Sequence, residues 1–132
     1  VGSEARFNNP GGIAVNELGE LFVSDSANHT IRKMSGGIVS TLAGTVGIAG
    51  TQNGIGTQAQ FNNPQGLAVA KNGDIFVAEM GSHRIRKISP GGAVTSWAGV
   101  IGQPGGVDGM GGTAKFNKPA DVAMDATGNL YV

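Results

Sequence analysis

An all-β fold of repeated four-stranded antiparallel sheets is predicted by three features of this sequence. Phe7–Ser35 and Phe61–Ser89 are identical at about half of their positions, and a third, partial copy begins at Phe116. The step is 54 residues from Phe7 to Phe61 and 55 from Phe61 to Phe116, a period typical of sheet-forming repeats. Within each copy, apolar runs of strand length alternate with polar turns bearing glycine, and no segment shows helical periodicity.

Each copy opens on Phe-Asn-Asn-Pro (Phe7–Pro10, Phe61–Pro64) or Phe-Asn-Lys-Pro (Phe116–Pro119). This suits an anchored loop, because proline is tolerated just before a strand but not inside a central one. The first strand follows as Gly12–Val15, Gly66–Val69 and Asp121–Met124, nearly all apolar, as expected of a strand covered on both faces. A glycine turn leads to the second strand, Leu21–Val23, Ile75–Val77 and Leu130–Val132. Asn72-Gly73 is the strongest hairpin signal, since both residues accept positive φ. In the first two copies the chain runs on through Asp25 or Glu79 into a third strand, Thr30–Met34 or Arg84–Ile88. Gly36-Gly37 or Gly91-Gly92 then turns it into a fourth, Ile38–Ala43 or Ala93–Ala98. Long glycine-rich connections, 44–60 and 99–115, follow, and nothing asks for a helix. The repeats divide the chain at 1–54, 55–109 and 110–132, the last holding only its first two strands.

Composition narrows the function. Glycine occurs 24 times beside 5 prolines with no Gly-X-Y period, which argues for many tight turns and against collagen or proline-rich disorder. The 9 basic and 9 acidic residues cancel, so no net field gathers phosphate backbones or anionic lipid. With aromatic residues at only 5%, stacking platforms are scarce, and no nucleic-acid partner is expected. The absence of cysteine excludes disulfides, thiolate zinc sites and cysteine nucleophiles. No apolar run approaches the roughly 18–20 residues of a membrane helix, so no membrane partner is expected. Val1–Pro10 lacks the basic start and apolar stretch of a signal peptide.

The runs Asn28-His29-Thr30-Ile31-Arg32-Lys33 and Ser82-His83-Arg84-Ile85-Arg86-Lys87 follow Phe-Val-Ser-Asp and Phe-Val-Ala-Glu. They resemble the NHL repeat, named for Asn-His-Leu, with isoleucine for the leucine and Ser82 for one asparagine. The Pro-x-Gly-Ile/Leu-Ala-Val and Gly-Glu/Asp-Leu/Ile-Phe-Val segments resemble long-period bacterial members, and the likeness covers nearly the whole chain. The resemblance implies a β-propeller, commonly of six blades, each blade a four-stranded sheet around a channel. It also implies an extracellular or periplasmic bacterial setting and a role as an interaction platform.

Two full repeats and a hairpin make an incomplete ring in one chain. An isolated hairpin is marginal in water, an open strand edge invites pairing, and end blades bare apolar faces. A homo-oligomer, or the remaining blades of a larger propeller, is therefore the expected partner. Three chains of two blades would make six, with 110–132 of one chain competing with 1–23 of the next.

The candidate residues follow from the repeats. Asp25 and Glu79 stand where a carboxylate faces Arg32 or Arg86 across the hairpin, a structural bridge repeated in each blade, as Phe7, Phe61 and Phe116 are repeated anchors. His29 and His83 occupy equivalent positions on successive repeats, which favours local turn bonding over a shared metal centre. Arg84, with Arg86 and Lys87, offers a patch for an acidic partner. Function is best sought where copies disagree: Asp121 replaces glycine on the strand that would line the channel, as a cation or ligand contact. Trp97 replaces Leu42 as packing or a platform, and Met80 replaces Ser26 in a loop suited to a hydrophobic contact. Gly54-Ile55-Gly56 and Gly109-Met110-Gly111-Gly112 precede no helix and are not phosphate loops.

No catalytic constellation, metal site or cofactor site is read from the chain. The favoured function is a noncatalytic propeller scaffold that holds a protein, peptide or glycan. Its rivals are a metal-dependent propeller enzyme, lyase-like or lactonase-like, and a purely structural self-assembling repeat.

Overall fold

A computed structural model describes residues 2–132. β1 (Pro10–Val15), β2 (Leu21–Asp25), β3 (Thr30–Ser35) and β4 (Ile38–Ala43) form an antiparallel meander with neighbours in chain order. β5 (Gly54–Ile55) leads to β6 (Pro64–Val69), β7 (Ile75–Glu79), β8 (Arg84–Ile88) and β9 (Ala93–Ala98), which repeat the meander. β10 (Ala123–Met124) and β11 (Leu130–Tyr131) form a separate two-stranded ladder. The fold is all-β, built of propeller-type blades.

The turns show why these residues punctuate the strands. Gly19, Gly73 and Gly128 all adopt positive φ in the loop between the first two strands of a copy. Beside each, a side-chain oxygen closes the loop: Asn16 Oδ1 accepts from the Leu18 and Glu20 N–H groups, and Asn72 Oδ1 from Asp74 N–H. Asp125 Oδ1 accepts from the Thr127 and Asn129 N–H groups. An Asx side chain mimics backbone there and fixes the hairpin.

Several features differ from the sequence reading, beginning with β1 and β6, which start at Pro10 and Pro64 instead of after them. β2 and β7 extend through Asp25 and Glu79, which pair with Thr30 and Arg84 in the ladder. β5, inside the first connection, adds to β9 through Gly54–Val94 and Ile55–Ala93, so the second sheet has five strands. Single 3-10 turns occur at Gly2–Glu4, Ser26–Asn28, Gly56–Gln58 and Met80–Ser82, too short to leave a periodicity. The strands of the third copy are shorter than expected, because a ladder without flanking strands is held by one set of bonds.

The sheets stack face to face. Phe22, Ile31 and Ala43 of the first pack against Phe61, Leu67, Ile75, Val77 and Ile88. From the other side of the second sheet, Phe76, Ala78 and Ile85 pack against Val122, with Phe116, Met124 and Leu130 partly buried. The second sheet is thus covered on both faces, and its strand β7 is buried throughout. The first is covered on one: Ile13 is 62% exposed where its counterpart Leu67 is 5% exposed. Burying an isoleucine- or leucine-sized side chain stabilises by roughly 1.5–3 kcal/mol.

Glycine sets the stacking distance at one point. A Cβ on Gly12 would lie 2.9 Å from the Gly66 Cα, and one on Gly66 would lie 2.6 Å from the Asp121 Cα. β1 approaches β6 backbone to backbone there, and β6 approaches the segment leading into β10.

Two stability measurements check this packing. In urea unfolding, Phe61→Ala should lose about 3–5 kcal/mol, and Phe7→Ala, at a half-buried site, clearly less. Gly66→Ala should cost about 1–3 kcal/mol by forcing Asp121 away. It should also speed amide exchange in 116–132 more than in β1–β4.

Candidate functional site

The most polar part of the interior surrounds Glu79 at the end of β7. Glu79, Arg84 and Arg86 are each fully buried. Arg86 Nη1 donates to Glu79 Oε2 at 2.7 Å and Arg84 Nη2 to Oε1 at 3.2 Å, while the Ser82 hydroxyl donates to Oε1. Arg84 and Arg86 alternate along β8, so both point to the same face as Glu79. The two guanidiniums also reach the preceding connection: Arg84 Nη2 donates to Thr51 O at 2.8 Å, and Arg86 donates to Gln60 O, Gln52 O and Asn53 Oδ1. The Phe61 ring lies 5.0 Å beneath the Arg86 guanidinium. Burial pushes the Arg84 guanidinium down in pKa, and the Glu79 carboxylate opposes that shift.

The first sheet carries a simpler version. Asp25 accepts from Arg32 Nη1 at 3.0 Å, from Asn28 Nδ2 at 2.9 Å and from the Asn8 N–H at 2.7 Å. Arg32 also donates to Arg6 O and lies 5.2 Å over the Phe7 ring. Thr30 stands where Arg84 stands in the second sheet, so one guanidinium replaces two. Arg84, read from sequence as part of a surface patch, is instead inside, because its neighbours Glu79, Ser82 and Ser96 supply acceptors there.

His29 and His83 link neighbouring repeats. Both sit in the left-handed region, with φ of 58° and 61°, at the end of a 3-10 turn. His29 Nδ1 accepts the Asn63 N–H at 3.1 Å, and His83 Nδ1 accepts the Lys118 N–H at 3.1 Å. Asn63 and Lys118 are themselves at positive φ, so one strained loop is pinned by another. Met80 is half-buried beside this link, its N–H donating to Asn63 O. The sequence placed the histidines in equivalent turns, but nothing local in it signals a bond to the next repeat.

The residues that differ between copies lie apart from these clusters. Asp121 is exposed; its Oδ1 accepts the Val122 N–H at 2.9 Å and packs on Gly66. Trp97 is 50% exposed, edge-on to Phe76 at 5.2 Å between centroids, with Lys87 Nζ 5.3 Å from its ring. It borders a cleft of about 560 Å³ shared with Asn72, Asp125 and Thr127. Asp125 is held well below the usual carboxylate range, first by the Asn129 side-chain amide and then by the Asn129 and Thr127 groups around it. Among the described residues, no three histidine, aspartate or glutamate side chains form a group that could hold a metal ion.

The backbone carbonyls at 51, 52 and 60 are the participants that sequence reading missed, since carbonyl ligands carry no side-chain signature.

Comparison with known proteins fits this geometry. The NHL repeat model matches residues 7–34 and 61–88, the segments that contain both acid–arginine pairs and both histidines. The chain is 37% identical over 120 residues to NHL repeat-containing protein 2 of Gallus gallus, covering 88% of this chain and 16% of that protein. It is 40% identical over 90 residues to Protein SUPPRESSOR OF QUENCHING 1, chloroplastic, of Arabidopsis thaliana, covering 67% of this chain and 8% of that protein. It thus spans a small part of either relative. Among solved structures, an auxiliary nutrient binding protein from Bacteroides ovatus superposes with a TM-score of 0.82 at 21% identity, over 97% of this chain and 35% of that one. A virginiamycin B lyase from Staphylococcus aureus superposes at 0.64 with 16% identity, over 96% and 35%. Both share the fold, and the repeats that build it here place the chain in the NHL-repeat β-propeller family.

Proposed function

We propose that this chain is a noncatalytic propeller module, a rigid platform that holds a protein, peptide or glycan and whose ring is completed by further blades of the same kind. One observation carries the reading: the acids, arginines and histidines of the repeat are engaged in holding the fold. Glu79 and Asp25 are taken up by arginines, and His29 and His83 by backbone N–H groups of the next repeat. A catalytic acid or metal ligand needs a free lone pair facing a channel or cleft. The fold itself does not decide, since binding proteins and lyases share it.

Completion by like blades is supported by the faces of the first sheet. Its covered side matches what the second sheet presents, and Ile13 and Val15 lie exposed on the other. A second copy of the chain, or another repeat of a longer protein, carries the surface that would cover them.

Size-exclusion chromatography with light scattering should give a mass that is a multiple of 13.2 kDa. A cooperatively melting particle of the single-chain mass would sink the completion reading. Glu79→Gln should cost about 3–5 kcal/mol in urea unfolding, because it strands two buried guanidiniums. Little loss would mean that the carboxylate is free for chemistry. Elemental analysis of the purified protein should find no stoichiometric calcium or zinc; one equivalent would support the lyase-like or lactonase-like enzyme instead.

A further inference from the structure

Two clefts of like build lie where one sheet meets the first loop of the next copy. The earlier one, of about 420 Å³, is walled by Phe22 and Leu42 of the first sheet and by the turn Ser89-Pro90 of the second. Both sheets carry all four strands of the meander there, so the opening belongs to the repeat as built. The cleft of about 560 Å³ beside Trp97 holds the same place one copy later. Phe76 and Trp97 take the positions of Phe22 and Leu42; the next residues, Ala43 and Ala98, stand opposite Ile31 and Ile85 in matching register.

The two clefts differ in chemistry. In the first, the acid is taken up at both oxygens: Glu20 Oε1 meets Lys33 Nζ at 2.7 Å, and Oε2 accepts from Asn16 Nδ2 at 2.9 Å. In the second, Asp74 Oδ2 meets Lys87 Nζ at 3.3 Å and accepts from Asn72 Nδ2 at 3.1 Å. Ala70 stands where Asn16 stood, and among the described residues nothing donates to Asp74 Oδ1. The wall changes too, from leucine to an indole that Phe76 and Lys87 hold in place while half of it stays exposed. Around this cleft Lys71 and Lys87 balance Asp74 and Asp125, which favours a ligand without net charge.

A fixed aromatic wall beside a carboxylate oxygen with spare lone pairs suits a ligand that is apolar on one face and carries hydroxyl groups at its edge. The electron-rich indole face attracts the polarised C–H groups of a sugar ring, and an ionised carboxylate accepts from the hydroxyls. We propose that the cleft formed by Trp97, Phe76, Asp74 and the loop 125–128 binds a neutral pyranose saccharide, with Trp97 as the stacking wall and Asp74 Oδ1 as the hydroxyl acceptor. The proposal rests on the reading of the chain as a binding platform, and it gives the glycan a place and a class. Because Phe76 and Lys87 already fix the indole, little side-chain order is left for the ligand to impose.

Trp97 is the only tryptophan in the chain, so its emission reports on the cleft directly. Cellobiose, maltose, lactose and diacetylchitobiose are titrated into the intact chain and followed by fluorescence, calorimetry and amide chemical shifts. At least one is expected to shift the emission saturably and to move amides at 71–76 and 125–128. The variants borrow residues that the repeat already carries at these places, so both should fold as the parent does. Trp97→Leu, which copies Leu42, should lose binding about tenfold or more by calorimetry. Asp74→Asn, which copies Asn129, should weaken it about three- to tenfold. A Trp97→Leu chain that binds as tightly as its parent, or shifts confined to other residues, overturns this site while the platform reading stands. Indifference to all four sugars does the same. A proline-rich peptide that moves the same amides when the sugars do not overturns the saccharide class and leaves a peptide platform.

Discussion

A guanidinium paired with a buried carboxylate ties each sheet to the segment that precedes it, and the remainder of the structure depends on that tie. Arg86 belongs to β8, yet three of its four polar contacts are made with residues 52, 53 and 60. That connection is poor in apolar side chains, so hydrophobic burial alone does not hold it. Removing two arginines and a glutamate from water carries a desolvation penalty of several kcal/mol per ion, offset only where hydrogen bonds are nearly complete. Here they nearly are, with Arg86 Nε the one orphaned atom of the trio. The gain is one of specificity: no shifted register of β8 would return both guanidiniums to the same carbonyls.

Stacking then propagates order from one sheet to the next. Each interface combines an apolar contact, a histidine-to-backbone bond and a glycine whose neighbouring backbone leaves no room for a Cβ. Repeat proteins of this kind gain stability mostly from nearest neighbours. The second repeat holds the largest fully buried side chains, Arg84, Arg86 and Phe61, with the two arginines set against Glu79 and the connection that precedes the sheet. The first sheet has a similar sequence pattern but an uncovered face, where Ile13 is exposed and its counterpart Leu67 is buried, so position in the stack as well as composition decides how much each strand contributes.

Much of this was legible in the sequence because each strand is announced twice, once by its own apolar run and once by its copy. The turns were legible from Asn72-Gly73 and its counterparts, where a positive φ is needed. The pairing of Asp25 with Arg32 follows from their places across a hairpin. What stayed hidden depends on contacts distant in sequence. β5 is two residues long and pairs by backbone alone; His29 bonds an N–H 34 positions away. The interior position of Arg84 also escaped, because a lone arginine reads as surface until a buried acceptor set is assembled around it.

Several of the differences between copies gather in one place. Trp97 for Leu42, Asp108 for Asn53, Asp121 for Gly66 and Lys118 for Asn63 all fall between the second sheet and the third copy. One of these substitutions works against the local backbone conformation. Lysine adopts a φ of 52° at 118 with less ease than asparagine does at 63, whereas the Asp121 side chain lies against Gly66, where the absence of a Cβ leaves room for it. A repeat selected only to stack would keep the better-packing residues, as the first interface does. The second interface has instead gained two carboxylates and a half-exposed indole at some conformational cost. That exchange gives the second interface a polar character that the first one lacks.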